Sequence, residues 1–348
     1  MIWLTWRQFR VQFLVVATVI LATAIFLAAT GPGLADDYRR LTKGFLESLG
    51  YQRLNPLLYQ AGIVLLYAVP PVIGAFWGAP LIARELETGT HRLVWSQSIS
   101  RWRWLATKLG LTGLAAIGIA GLLSFAVTKW SAPIDDAVNA GQDSNTYLPR
   151  MFPLQFGARG LVPVGYVAFA FALGVAVGLV ARRTVVALAI TLAAVILIEV
   201  LTPTLIRPHL LAPTEQYIVA TADNIRGFGL SGDGPTPQVI QMEVASGSVG
   251  AWKVSDNTVD KAGNKVSKLP SWVIDCAPVP PGVAQQQTTP AARDACFQRL
   301  ADEGYKQHIR YYTADKFWAL QWREFGFFGL LALLLAGFSF WRIRRDLS

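Results

Sequence analysis

Six stretches of the chain are apolar almost without interruption, and the polar residues fall between them. Val11 to Ala35, Asn55 to Ala83, Leu109 to Thr128, Gly160 to Ala181 and Phe325 to Trp341 carry no charge, and Thr184 to Ile206 carries only Glu199. A bilayer core needs about 20 apolar residues as helix to cross it. The pattern therefore predicts six spans, over 11–30, 60–82, 109–128, 161–181, 184–202 and 325–341. Trp322 and Trp341 flank the shortest and can anchor it at the headgroups. The first run exceeds the apolar core of a signal peptide, about 7–15 residues, so it is expected to remain as a helix. Trp3, Trp6 and Phe9 beside Arg7 and Arg10 predict an interfacial segment ahead of it.

Between the spans the periodicity changes. Gly31-Pro32-Gly33 is expected to end the first span, and Leu34, Tyr38, Leu41, Phe45 and Leu49 then recur at helical spacing up to Gly50. Pro70-Pro71 predicts a kink in the second span. Small residues four apart, Gly74 with Gly78 and Gly174 with Gly178, predict close helix packing in the second and fourth spans. Residues 129–159 have a loop composition, and Arg182-Arg183 forms a tight turn. Residues 203–322 are hydrophilic, with β-prone runs at Gln238 to Val244 and Trp272 to Ile274. A helical pattern follows over Ala291 to Tyr311, which Gly304 interrupts. The fold class expected is an all-α polytopic membrane protein, six transmembrane helices with a loop-rich extracellular domain between helices 5 and 6. The domains are then 1–202, 203–322 and 323–348.

Charge orients this arrangement. With the N-terminus inside, the inner segments 1–10, 83–108, 182–183 and 342–348 hold 12 Arg or Lys against Glu85, Glu87 and Asp346. That excess equals the whole net charge of +9, so the rest of the chain is neutral. This is the positive-inside pattern. The cations sit in short segments at span ends and form no basic domain, which argues against nucleic acid as a partner. Both termini are expected in the cytoplasm, with the chain in a bacterial cytoplasmic membrane. Cys276 and Cys296 share the outer segment. An even pair there favours a disulfide over two free thiols, worth roughly 3 kcal/mol.

Catalytic chemistry is missing. No GxxxxGK[ST] phosphate loop, HExxH or GxSxG occurs, and His91, His209 and His308 are scattered. Within the predicted spans only Glu199 is charged, near the outer end. Headgroup-level solvation is one account of it, and a functional charge in the membrane is the other.

The densest polar connection is Arg84 to Lys108, with five Arg or Lys, two Glu and three Trp. An ordinary cytoplasmic loop explains Arg84, Arg101, Arg103, Lys108, Trp102 and Trp104. It does not explain Glu85 and Glu87, which oppose the charge bias. The second span is predicted to continue through Glu87 and stop at Gly89. A short helix over 90–98 would then present Leu93, Val94 and Trp95, and Ser100 would cap the next span. These residues, Glu85-x-Glu87-x-Gly89-Thr90, then Ser100-Arg101 and Lys108, resemble the permease subunits of type-2 ABC exporters, in particular the actinobacterial drug-export-like branch. The span order, the large segment between spans five and six, and the re-entry stretch Ala314 to Gln321 share that resemblance.

The resemblance implies a membrane-spanning permease that performs no hydrolysis itself and binds no cofactor. ATP and Mg would be bound by a separate ABC ATPase subunit, and a second permease copy would complete a homodimer in membrane lipid. Glu85, Glu87, Gly89, Thr90, Arg92, Leu93, Val94, Trp95 and Arg101 would couple the two chains. Leu230 to Gly234 shares letters with the ATPase signature loop but lies in the outer segment without companion motifs, and is read as a turn. The uncharged spans favour an amphiphilic or drug-like cargo moved outward, with Phe76, Trp77 and Glu199 as the candidate pathway. The competing reading is a membrane-anchored sensor or scaffold whose outer domain binds a ligand, and a co-purifying ATPase separates the two.

Overall fold

The computed structural model describes every residue except 1, 42–43, 91–99, 143–145, 232–237, 246–248, 277–288 and 346–348. It divides into two units, Met1–Leu211 with Asp315–Ser348, and Ala212–Ala314.

The first unit is helical. Its elements are α1 (Ile2–Arg40), α2 (Phe45–Gly50), α3 (Leu54–Ile73) continued by a π-helical turn (Gly74–Gly78) into α4 (Ala79–Glu87), and α5 (Arg101–Asn139). Then come α6 (Pro153–Gly157), α7 (Val162–Ala181), α8 (Thr184–Leu201), a second π turn (Thr202–Ile206) and α9 (Arg207–Leu210). The long α11 (Phe317–Arg345) closes the unit after the second unit's excursion. Among the described residues six helical segments are long and apolar enough to cross a membrane: Phe9–Arg40, Leu54–Glu87, Arg101–Asn139, Val162–Ala181, Thr184–Leu210 and Ala314–Arg345.

All the spans except the fourth are longer than the apolar pattern predicted. Gly31-Pro32-Gly33 does not stop α1, which runs on to Arg40 with Pro32 inside it. Trp130 Nε1 donates to Thr30 Oγ1 at 3.0 Å beside Gly31, so packing against α5 holds the helix through its weak residues. The amphipathic pattern after it survives only as α2, which buries Phe45, Leu46 and Leu49. Residues 129–139, expected as loop, continue α5, with Trp130, Ile134 and Ala137 buried. Pro70-Pro71 does not end the second span. The missing donors are followed by the π turn at Gly74–Gly78, a wider turn that lets the helix carry on.

The glycine pairs pack as their spacing predicts. A Cβ at Gly74 would lie 2.7 Å from Ala170 O, and one at Gly78 would lie 2.5 Å from Phe171 O. On the facing helix, a Cβ at Gly174 would collide with Gly74 O, and one at Gly178 would lie 2.5 Å from Ala79 O. The second and fourth spans therefore touch backbone to backbone along two helical turns, which only residues without Cβ permit.

The unit Ala212–Ala314 corrects the all-α expectation, because it is built on two small antiparallel sheets. One orders β1 (Thr214–Ile218), β5 (Lys306–Tyr312) and β4 (Trp252–Val259), with Ile309 opposite Gln216 and Asp256. The other pairs β2 (Ile225–Ser231) with β3 (Gln238–Val244), Phe228 facing Met242. Gln238 to Val244 is thus a strand as predicted, whereas Trp272 to Ile274 falls in a 3₁₀ turn. The predicted helix is α10 (Pro290–Asp302). It stops at Gly304, whose φ of +85° is left-handed, and the chain re-emerges as β5. Val239, Met242, Val273, Phe297 and Leu300 form its core. The boundaries fall at 212 and 314 rather than 203 and 322, because the fifth span continues through the π turn and the sixth begins earlier.

Cys276 and Cys296 are joined in a disulfide, 5.7 Å apart at Cα. It links the 3₁₀ turn Ser271–Cys276 to α10. Cys276→Ser with Cys296→Ser is expected to lower the stability of this unit by about 3 kcal/mol. Limited proteolysis of the full chain reads this as faster cleavage within 212–314. Unchanged cleavage would show that the crosslink adds nothing to the sheets.

Candidate functional site

One end of the helical unit collects the basic residues, and there the order Glu85-x-Glu87-x-Gly89 takes its form. The helix closes at Glu87, and Gly89 adopts a φ of +71° that only glycine takes freely. Thr88 N donates to Arg84 O at 3.1 Å, and the Thr88 hydroxyl reaches the same oxygen at 2.9 Å. Thr90 Oγ1 lies 3.1 Å from Thr88 Oγ1. The next span starts at Ser100, whose hydroxyl accepts from Arg103 N at 3.3 Å, the predicted cap. Arg92, Leu93, Val94 and Trp95 lie outside the described residues.

The two acids are fastened within the chain. Glu85 pairs with Lys108 of α5, and that ammonium also donates to Leu81 O at 3.4 Å and lies 5.2 Å from the Trp104 ring centroid. Lys108 is only 4% exposed, so its charge depends on this partner. Glu87 Oε2 accepts from Thr184 N at 2.9 Å, capping the first turn of α8 from another helix. A carboxylate there satisfies an orphan donor and complements the helix dipole. Arg182, φ 54°, makes the turn that brings Thr184 into place. Trp102 packs on Phe340 with centroids 4.1 Å apart, and Arg344 lies 5.1 Å from the Trp102 ring, which ties the start of α5 to the end of α11. Arg101, at the first position of α5, is half-buried. Fastening around residues 84–101 thus reaches the second, third, fifth and sixth spans.

This geometry stands beside one family finding. The model of the ABC-2 membrane transporter related family matches residues 14–207, more than half of the chain. The chain belongs to that family. No curated protein and no solved structure matches it. An ABC-2 membrane chain of this kind is the transport component of an ABC transporter, a multi-pass permease subunit whose family implies an ATPase partner. The match ends within the fifth span and does not cover Ala212–Ala314.

The three candidate pathway residues do not meet in this ABC-2 permease chain. Trp77 is buried edge-on against Phe9 of α1, centroids 4.6 Å apart. Phe76, its neighbour in the π turn, is half exposed on another side. Glu199 is buried on α8, and its Oε1 has no hydrogen-bond partner among the described residues.

Sequence reasoning missed a set of buried charges at the other end of the unit. Glu199 is not the one charged group among the spans. Arg207 donates through Nε and Nη2 to both oxygens of Glu324, at 2.7 and 3.0 Å, with both side chains fully buried. Tyr166 OH donates to the same carboxylate at 3.0 Å, and Arg207 Nη1 donates to Pro153 O at 3.0 Å. Arg159 Nε bonds Asp135 Oδ2 at 3.1 Å, also out of solvent. Gln321 Oε1 accepts from Leu161 N and Val162 N, and its Nε2 donates to Phe156 O. The available signal was the apolar setting of each charge, Leu205-Ile206-Arg207 and Trp322 to Phe325.

Proposed function

We propose that this permease is driven by a separate ABC ATPase, with ATP and Mg bound there, and moves an amphiphilic or drug-like substrate outward. It works with a second copy of the chain in a bacterial cytoplasmic membrane. Residues 85–98 receive the ATPase at the cytoplasmic face, both termini lie on that face, and Ala212–Ala314 lies outside. We place it in the actinobacterial drug-export-like branch, which its motif order resembles. The excess of Arg and Lys in segments 1–10, 83–108, 182–183 and 342–348 supports this orientation.

The observation that carries the reading is the double fastening of the loop's entry helix. A force applied to residues 85–98 reaches the third span through Glu85 and Lys108, and the fifth through Glu87 and Thr184. It also travels along α4 into the π turn, whose glycines bear directly on the fourth span. The acids therefore transmit movement between helices, while Leu93, Val94 and Trp95 supply the apolar contact with the ATPase. A buried aromatic at such a contact costs about 2 kcal/mol or more on truncation.

Two variants separate the roles. Trp95→Ala is expected to reduce the ATPase retained on purification in mild detergent. Glu87→Lys is expected to retain it, yet abolish the response of ATP hydrolysis to substrate. If both keep wild-type stoichiometry and stimulation, the loop is only an anchor. The sensor or scaffold reading, with the outer unit binding a ligand, then takes its place.

A further inference from the structure

Between α1, α4 and α5, at the basic end, lies a cavity of about 510 Å³. Its floor is the buried edge-to-face pair Phe9 and Trp77, and its rim carries Gln12, Arg84, Thr88 and Thr90. Lys108 and Glu85 also line it, but their charges are spent on each other. Arg84 differs. It is exposed and makes no ion pair among the described residues, so the rim carries a net positive charge.

Further along the same two helices, α1 and α5, lies an apolar groove of about 340 Å³, from Phe13 to Leu21 on one side and from Ala115 to Leu122 on the other. Small residues, Ala17, Ala115 and Gly118, keep it open, and a Cβ at Gly118 would meet no atom within 4 Å. Eight residues of helix rise about 12 Å, close to the roughly 15 Å of one leaflet's hydrocarbon. On both helices the groove follows the cavity in order, Gln12 being followed by Phe13 and Lys108 standing two turns before Ala115.

We propose that this seam holds an anionic phospholipid of the surrounding bilayer, its phosphate at Arg84 and one acyl chain along Phe13 to Leu21. Charge and shape both select it. A cation at the membrane end of a groove between spans suits an anionic headgroup, and the space that Ala17, Ala115 and Gly118 leave among Phe13, Ile20, Leu21, Ile119 and Leu122 suits an acyl chain. A zwitterionic lipid would fill the groove equally well and gain less at Arg84.

Native mass spectrometry tests this on the full chain released from nanodiscs of equal parts phosphatidylglycerol and phosphatidylcholine. Wild type is expected to retain phosphatidylglycerol in about fivefold preference. Arg84→Ala and Arg84→Glu should remove the preference. Arg183→Ala, which deletes the same charge elsewhere at this end, should keep it. Gly118→Trp should release both lipids, and its side chain starts in open space, so an unchanged thermal midpoint is expected. Should that variant misfold, the Arg84 pair still decides. Equal retention of the two lipids by wild type, or a preference that survives Arg84→Glu, overturns the proposal. So does Gly118→Trp separating two differently tagged copies while lipid stays bound, which would seat a second chain in the groove. ATP-dependent release of the bound phosphatidylglycerol across the membrane would make it cargo and also overturn residence. A failure of ATPase docking at residues 85–98 leaves the lipid-retention readouts untouched, because they contain no ATPase.

Discussion

Replacing Glu324 by alanine is expected to destabilise the helical unit by about 3–5 kcal/mol, the cost of leaving a buried charge without its partner. The carboxylate holds both forks of the Arg207 guanidinium and the Tyr166 hydroxyl, and none of the pair's surface reaches solvent. The Arg207 guanidinium also lies over the Phe156 ring, 4.4 Å from its centroid, so it has no route to water once the acid is gone. Arg207→Met should cost a similar amount by orphaning the acid. The double variant Arg207→Met with Glu324→Leu should be less damaging than either single change, because a buried pair replaced by apolar groups loses its desolvation penalty too. Thermal unfolding in detergent, followed by size-exclusion chromatography, gives all three values. Additive losses in the double variant would show that the two residues do not act as a pair. The pair joins the end of the fifth span to the sixth, 117 residues apart in sequence, so its loss should also loosen α11 from the rest of the unit.

The second large effect is steric. Gly78→Leu and Gly174→Leu are expected to block assembly of the second and fourth spans, at about 3 kcal/mol or more. Overpacking typically costs about 1–3 kcal/mol where side chains can yield. Here the obstacles are carbonyl oxygens and Cα atoms of the facing backbone. A Cβ at Gly78 would lie 2.5 Å from Phe171 O and 3.2 Å from Gly174 Cα, and one at Gly174 would collide with Gly74 O and Ala79 N. Gly121→Leu in α5 is the matched control, since a side chain there starts with no atom within 4 Å. The measurement is the monodisperse yield of each variant, with ATPase stimulation where protein is recovered. If Gly78→Leu and Gly121→Leu behave alike, that contact is not what holds the two spans together.

Much of the basic end was legible in residue order. The helix end at Gly89, the cap at Ser100 and the turn at Arg182 each follow from a local rule about backbone conformation or an orphan donor, and each appears where predicted. The partners of Glu85 and Glu87 were not legible. Both acids oppose the local charge bias, which marks them as unusual but does not say what they hold. Glu85 finds Lys108, 23 residues on, and Glu87 finds a backbone amide 97 residues away. Neither separation leaves a trace in composition or period.

The six spans, their order and the concentration of positive charge at one end were determined by the sequence alone. Membrane crossing depends on length and apolarity within a single segment, and those are local properties. The tertiary structure decided what depends on two segments at once. It carried α1 and α5 past residues that would end an isolated helix, because packing between them outweighs the weak propensity of glycine and proline. It separated glycines that touch backbone, such as Gly74 and Gly178, from those that face open space, such as Gly118 and Gly121. It also brought Arg207 and Glu324, 117 residues apart, into a buried pair, since a charge avoids the interior unless another segment brings its counterion there.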